Sequence, residues 1–148
     1  MEATDTSPIF FTDRYEHSVD DKGRVTLPAQ YRRYFPADSI AYFVPAGHGE
    51  PCIRVFPLES WTQYDQKYLE QLNEFEAKDV SRMIRNLYSG IKKVTVDKAG
   101  RVLLPDAAVK TLGLSGKVLM AGHRDHFEIW DPQAFEEFVQ SECEEDAS

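Results

Sequence analysis

The chain has 148 residues, of which 42% are hydrophobic and 28% are charged, so it can form one compact domain or two very small ones. It has no apolar run of about 18 residues, the length expected of a membrane span, and its polar, acidic start does not have the pattern of a signal peptide. The net charge of −8 does not by itself suggest a protein that binds nucleic acid.

The acidic residues are concentrated at the two ends. Residues 1–13 carry three acidic and no basic side chains, and residues 136–148 carry six acidic and no basic side chains. The body between them has 16 acidic against 17 basic residues. Within it, residues 82–101 carry six Lys or Arg against Asp97 alone, an excess that could contact phosphates. A solvated basic face without a partner is an equally acceptable interpretation.

One segment of the chain occurs twice. Residues 20–28, D-D-K-G-R-V-T-L-P, recur as residues 97–105, D-K-A-G-R-V-L-L-P, at an offset of 77. Residues 53–56 match residues 127–130 at an offset of 74, and the slip of three residues falls in predicted loops. Two copies with this spacing predict a duplicated unit with pseudo-twofold symmetry.

The first copy begins with a predicted strand, turn and strand. Apolar and polar residues alternate over residues 15–19, which is the pattern of a half-buried strand. A short turn follows at Gly23, where a positive φ costs little. The next strand places Val25 and Leu27 on the inner face and Arg24 on the outer face.

A short helix and two more strands complete this copy. Pro28 suits the first turn of a helix, because its missing N–H would have no partner there. We expect the helix to end near Pro36 and strands to follow over about residues 40–45 and 52–56. The first unit, residues 14–60, is therefore predicted as β-β-α-β-β.

Residues 61–90 form a predicted helical connector. Its first helix carries residues at helical spacing, namely Trp61, Tyr64, Tyr68, Leu72 and Phe75. A second helix, ending near Gly90, carries Val80, Ile84, Leu87 and Tyr88. We interpret these stripes as core or subunit contacts rather than as the lining of a ligand pocket.

The second unit, residues 91–135, has the same pattern. Gly100 lies in the turn, and the strand after it directs Arg101 outward. A helix is expected to end near Gly113, with strands over about residues 117–121 and 126–130. Asp131 and Pro132 suit the start of a further helix, and an acidic tail is predicted over residues 136–148.

Catalytic motifs are missing from the sequence, which has no GxGxxG, P-loop, HExxH or GxSxG. His123 and His126, with Asp125 beside them, offer two imidazoles and a carboxylate in a predicted turn. A metal site needs three or four ligands and the sequence shows no further ones nearby, so we interpret them as polar turn residues. We therefore expect no enzyme activity, cofactor, metal ion or small-molecule substrate.

Three other potentially reactive residues have simpler interpretations. His17 lies on the inward face of its strand, where we expect a hydrogen-bonded core histidine rather than a base. Cys52 and Cys143 form no CxxC pair and have no activating partner in the sequence. Their pattern fits a reducing cytoplasm.

The repeated element has the form D-x-x-x-R across a glycine turn. In one interpretation the carboxylate and the guanidinium form an ion pair that closes the turn. In the other, an arginine at the tip of a two-stranded ribbon reads guanine or contacts phosphate, because such a ribbon fits the major groove. The predicted DNA-binding residues are Lys22, Arg24, Lys98 and Arg101. The predicted turn-structuring residues are Asp20, Gly23, Asp97 and Gly100.

These features resemble the MraZ family, whose halves are each similar to a SpoVT-AbrB swapped-hairpin unit. The match covers about residues 14–135 and includes the paired D-x-x-G-R-V-x-L-P segments, F-P-L-E-S-W at residues 56–61 and E-I-W at residues 128–130. The resemblance implies an α+β fold in which the duplicated β-β-α-β-β units form a swapped-hairpin barrel with flanking helices. In this sequence Ala99 replaces the lysine of the first turn, with Lys98 beside it, so the two turns are expected to contact DNA unequally.

The resemblance also implies a function and partners. It indicates a cytoplasmic, nucleoid-associated regulator that binds double-stranded DNA at direct repeats before the division and cell-wall gene cluster, including its own gene. It further implies a ring-shaped homo-oligomer, in which head-to-tail contacts would cover strand edges and aromatic stripes. Two alternatives remain. One is an AbrB-like antitoxin or protein-interaction module, and the other is an enzyme on a related barrel.

Overall fold

A computed structural model describes residues 9–46, 49–113 and 116–147. The first eight residues of the predicted acidic start and Ser148 of the predicted tail lie outside these ranges. The described chain is mixed α and β. Its elements in chain order are β1 (Arg14–Ser18), β2 (Arg24–Thr26), α1 (Ala29–Arg32), β3 (Ile40–Pro45), β4 (Cys52–Pro57), α2 (Leu58–Gln71), α3 (Ala77–Tyr88), β5 (Lys92–Thr95), β6 (Arg101–Leu103), α4 (Asp106–Leu112), β7 (Lys117–Gly122), β8 (Phe127–Trp130) and α5 (Pro132–Ala147).

The predicted elements are found in both copies, with small differences at their ends. Helix α1 ends at Arg32, earlier than the predicted end near Pro36. Helix α4 ends where predicted, because Gly113 adopts the left-handed conformation that terminates it (φ 61°). The first connector helix stops at Gln71, and a 3₁₀ turn over Leu72–Glu74 separates it from α3.

The two copies exchange strands. The larger sheet is antiparallel and has the order β1-β7-β8-β4-β3-β5, so each edge strand pairs with a strand of the other copy. Strands β4 and β8 meet at its centre. Strands β2 and β6 form a separate two-stranded ribbon. Across the first turn itself, the described residues show one isolated bridge, between Val19 and Val25. The ribbon that carries the repeated arginines is therefore built from both copies, and not within each copy as the sequence suggested.

One hydrophobic core is shared by both copies. The residues predicted to point inward are almost completely buried, namely Val25, Leu27, Val102 and Leu104. Aromatic rings fill the space beneath them: Phe11 lies edge-on to Tyr31 at 5.1 Å between centroids, and Tyr31 stacks on Phe127 at 4.9 Å. Exchange of strands between copies lets the apolar faces of both copies enter the same cluster.

The connector packs on the sheet through the start of its aromatic stripe. Trp61 stacks on Tyr42 and lies edge-on to Phe56, with centroids 5.9 and 5.7 Å apart. Farther along the stripe, Leu72 is buried, whereas Phe75 is exposed, as is Leu69, which lies outside the stripe. Buried members of the predicted stripe therefore extend as far as Leu72. None of the described helices is long and apolar enough to span a membrane.

Candidate nucleic-acid interface

The first D-x-x-x-R turn is organised by one carboxylate. Asp20 Oδ1 accepts hydrogen bonds from the backbone N–H groups of Lys22 (2.9 Å) and Arg24 (2.8 Å), and Oδ2 accepts from Arg24 Nε at 2.8 Å. Gly23 has φ 82° and donates its N–H to the Asp20 carbonyl oxygen at 3.0 Å. The glycine is needed because this left-handed conformation is unfavourable for residues with a Cβ.

The second turn repeats this geometry. Asp97 Oδ1 accepts from the N–H groups of Ala99 and Arg101, both at 2.9 Å, and Oδ2 accepts from Arg101 Nε at 2.9 Å. Gly100 has φ 75° and donates to the Asp97 carbonyl oxygen at 3.0 Å. The turn-closing ion pair expected from the sequence is therefore present in both copies.

The two carboxylates are held in their charged form. The hydrogen bond from the Arg24 backbone N–H, assisted by the Arg24 side chain, lowers the pKa of Asp20 below its ordinary value of 3.8. The corresponding bond from Arg101 lowers the pKa of Asp97 in the same way. Both turns therefore carry a carboxylate–guanidinium pair at neutral pH.

The ribbon between the turns has a buried face and an outer face. In its register Arg24 lies opposite Leu103 and Thr26 opposite Arg101, with the buried Val25–Val102 pair between them. Because side chains alternate along a strand, these four flanking residues share the outer face. The ribbon continues into both turns through hydrogen bonds from Leu27 N to Gly100 O and from Leu104 N to Gly23 O, each 2.9 Å long.

Each guanidinium donates its Nε–H to the aspartate and keeps its two terminal Nη groups for other acceptors. Arg24 and Arg101 use Nε for the aspartate, and their side chains are 29% and 35% exposed. Neither donates an Nη hydrogen bond to any acceptor among the described residues. The terminal Nη groups can therefore bind a planar acceptor pair or a phosphate from solution. Lys22 and Lys98 are exposed beside them.

Arg32 is a basic neighbour that the motif did not predict. It extends from α1 and donates from Nε to the Leu27 carbonyl oxygen at 2.9 Å. A Cβ built on Gly100 would lie 2.7 Å from Arg32 Cδ and Nε, so the arginine lies directly on the second turn. No repeat of the sequence marks this residue, because its position depends on how the helix packs against the other copy.

The histidines and cysteines considered in the sequence lie outside the two turns. His17 Nδ1 lies 2.6 Å from the Thr26 carbonyl oxygen, which confirms the expected hydrogen bond, but the residue is half-buried and does not lie in the core. Cys52 is buried, and this burial raises the pKa of its thiol, whereas Cys143 is exposed. Burial also lowers the pKa of His126 to about 4.

The histidine turn gains a third potential ligand in the structure. Ligand atoms of His123, His126 and Glu128 lie within 4.8 Å of one another. Glu128 was not recognised as a candidate from the sequence, although the alternation of strand β8 places it on the same face as His126.

Comparison with known proteins identifies the family. The family model described as "MraZ protein, putative antitoxin-like" matches residues 10–85 and 87–148. The transcriptional regulator MraZ of Acetivibrio thermocellus is 33% identical over 132 residues, 89% of this chain and 88% of the relative. The transcriptional regulator MraZ of Syntrophomonas wolfei is 33% identical over 139 residues, 91% and 92% of the two chains. That of Dictyoglomus thermophilum is 30% identical over 134 residues, 89% and 86%. With both of its repeated halves matched, the chain belongs to the MraZ family.

Proposed function

We propose that this protein is a transcriptional regulator that binds double-stranded DNA through the outer face of the β2–β6 ribbon. The observation that carries the proposal is the repeated arginine geometry. Arg24 and Arg101 lie on one face of a single ribbon, and each is anchored through Nε with its Nη groups free of acceptors among the described residues. The names of the relatives, all transcriptional regulators, support the same role.

The physical fit to DNA follows from the shape and charge of this face. A two-stranded ribbon can enter the major groove, where an arginine fork binds guanine O6 and N7. Anchoring by Asp20 and Asp97 reduces the conformational freedom that each arginine must lose on binding. Lys22 and Lys98 are exposed on the flanking turns, and we infer that they contact the phosphate backbone.

The finer features of the proposal rest on the family resemblance. We infer that the targets are promoter direct repeats before the division and cell-wall gene cluster, including the protein's own gene, and that the protein acts in the cytoplasm at the nucleoid. The strand exchange supports a swapped-hairpin barrel with pseudo-twofold symmetry. The exposed Leu69 and Phe75 on the connector, together with edge strands β1 and β5, support assembly into a ring.

The decisive experiment is a DNA titration at fixed salt with the region upstream of the gene. Arg24→Ala with Arg101→Ala should weaken specific binding by about 1–3 kcal/mol for each arginine that reads a base edge. An arginine that binds phosphate instead contributes equally to the affinity for every DNA sequence. Its removal should therefore weaken binding to all sequences equally and make the slope of log K against log salt shallower by about one unit. Melting temperature, measured in parallel, should show that the core is intact.

Arg82→Ala is the matched control. Arg82 lies on α3, is 66% exposed and pairs with Asp79 at 3.2 Å, so its removal also breaks an arginine–aspartate pair away from the ribbon. It should leave the preference for the upstream sequence over unrelated DNA unchanged. If the double variant binds its upstream DNA as tightly as the natural protein, the ribbon is not the interface. Absence of any salt-dependent binding by the natural protein would favour the alternative of an antitoxin-like protein-interaction module.

A further inference from the structure

Three potential metal ligands converge where β7 turns into β8. His123 N donates to the His126 carbonyl oxygen at 2.9 Å, which closes the turn and places the two imidazoles 4.7 Å apart between centroids. Glu128, two residues farther along β8, lies on the same face as His126. We propose that His123, His126 and Glu128 bind one divalent transition-metal ion of the zinc type.

His126 has an unused nitrogen lone pair in a buried position. Its residue is only 5% exposed, and its Nδ1 lies 2.8 Å from Asp125 Oδ1. With the Nδ1 proton donated to that carboxylate, Nε2 is the free acceptor, and it has no hydrogen-bond partner within the described ranges. A histidine that donates one ring N–H to a carboxylate and directs the other nitrogen at an ion is the usual arrangement around protein-bound metals.

Glu128 is a buried carboxylate that forms no ion pair with a basic side chain in the described part of the chain. It accepts hydrogen bonds from Trp130 Nε1 at 3.1 Å and from Cys52 Sγ at 3.7 Å. Arg54 is its cross-strand neighbour, but the guanidinium donates instead to the Tyr64 hydroxyl and the Pro45 carbonyl oxygen, both at 3.1 Å. A buried carboxylate is costly without a counter-charge, and a divalent ion would supply one.

The donor set selects the kind of ion. Two imidazole nitrogens and one carboxylate oxygen suit Zn²⁺ and related ions, with the remaining coordination positions open to water. Calcium and magnesium prefer oxygen ligands alone. Because His123 is exposed, its ring is free to turn from its stacked position so that one nitrogen faces the ion. The thiol of Cys52 contacts Glu128 as a hydrogen-bond donor and is not assigned as a ligand.

The test uses the full chain, titrated calorimetrically with zinc chloride and spectroscopically with Co²⁺. We expect one ion per chain and weak visible cobalt bands without a thiolate charge-transfer band. Asp125→Asn should weaken zinc binding by about 10–100-fold, as removal of an outer-sphere partner does, and His123→Ala or Glu128→Gln should weaken it further. His17→Gln is the control histidine, and Cys143→Ser controls for the exposed thiol; neither should change the affinity.

The exposed position of His123 makes its variant the clearest one, because the change leaves the core untouched. Unaltered zinc affinity in His123→Ala would overturn the site. So would no binding by the natural protein, or a cobalt thiolate band that disappears on replacement of Cys52. Circular dichroism of each variant identifies any loss of binding that comes from unfolding, and none of these readouts depends on DNA.

Discussion

The two D-x-x-x-R turns have almost the same internal geometry but different surroundings. The arginine–aspartate distances are 2.8 and 2.9 Å, and the two glycines have φ 82° and 75°. The five residues of each element therefore form the same set of internal hydrogen bonds in both copies. The residues that pack against the two turns differ, so the two copies present different surfaces.

The difference is clearest at the glycines. A Cβ on Gly23 would meet only Leu103 Cδ1, at an ordinary 3.7 Å, whereas a Cβ on Gly100 would lie 2.7 Å from Arg32. Lysine also occupies different positions, at Lys22 in the first turn and Lys98 in the second. The second turn thus has an additional arginine beside it. We expect the second turn to be more sensitive to substitution of its glycine and to carry more positive charge.

We expect the largest difference in stability between the turns when each glycine is replaced by alanine. Gly23→Ala should destabilise the protein by about 1–2 kcal/mol, the cost of a left-handed residue with a Cβ. Gly100→Ala should lower the melting temperature more, because it also displaces Arg32 from its hydrogen bond with the Leu27 carbonyl oxygen. Thermal unfolding of the two variants measures this difference.

A double-mutant cycle with Arg32→Ala isolates the cause. If the contact with Arg32 explains the extra loss, then Gly100→Ala should cost about as much as Gly23→Ala once Arg32 is already alanine. Equal melting temperatures for the two glycine variants in the natural background would show that the surroundings do not distinguish the turns.

Local features of the fold could be predicted from the sequence because they depend on short-range patterns. The alternation around Val25 and Val102 indicated strands, and both residues are buried. The repeated glycines indicated positive φ, which both adopt. The aspartate–arginine spacing indicated an ion pair, and two are present. Each of these features is determined by residues within one turn or one strand.

Features that depend on the other copy could not be predicted in this way. Nothing in the first repeat specifies that Arg24 pairs across the ribbon with Leu103, since that register joins residues far apart in the chain. The contact of Arg32 with Gly100 and the position of Arg54 opposite Glu128 have the same origin. The pairing of the two arginine strands in one ribbon and the surroundings of Glu128 therefore required the tertiary structure.

Removing the aspartates should have a smaller effect that depends on pH. The folded protein lowers the pKa of Asp20 and Asp97, so each carboxylate stabilises the fold at pH values above its ordinary pKa of 3.8. This contribution is lost as pH falls through the lower folded value. Asp20→Ala and Asp97→Ala should therefore melt below the natural protein at pH 7, and the difference should shrink below about pH 4.

Asparagine provides the control for these variants. Asp20→Asn keeps an oxygen that can accept the two backbone N–H groups, so it should lose less stability than Asp20→Ala at pH 7. A difference from the natural protein that stays constant from pH 7 to pH 3 would mean that the charge of the carboxylate does not stabilise the turn.

The smallest expected effect concerns the two lysines and tests how the turns meet the phosphate backbone. If Lys22 and Lys98 each neutralise one phosphate, either alanine variant should make the slope of log K against log salt shallower by about one unit, without changing sequence preference. Arg32, close to the second turn, offers a second cation there. Loss of Lys98 should therefore be compensated better than loss of Lys22, and the slope should change less. Arg32→Ala combined with Lys98→Ala should remove the compensation. DNA titrations at four or more salt concentrations provide the slopes, and a Lys98→Ala slope that changes as much as that of Lys22→Ala would show that Arg32 does not reach the DNA.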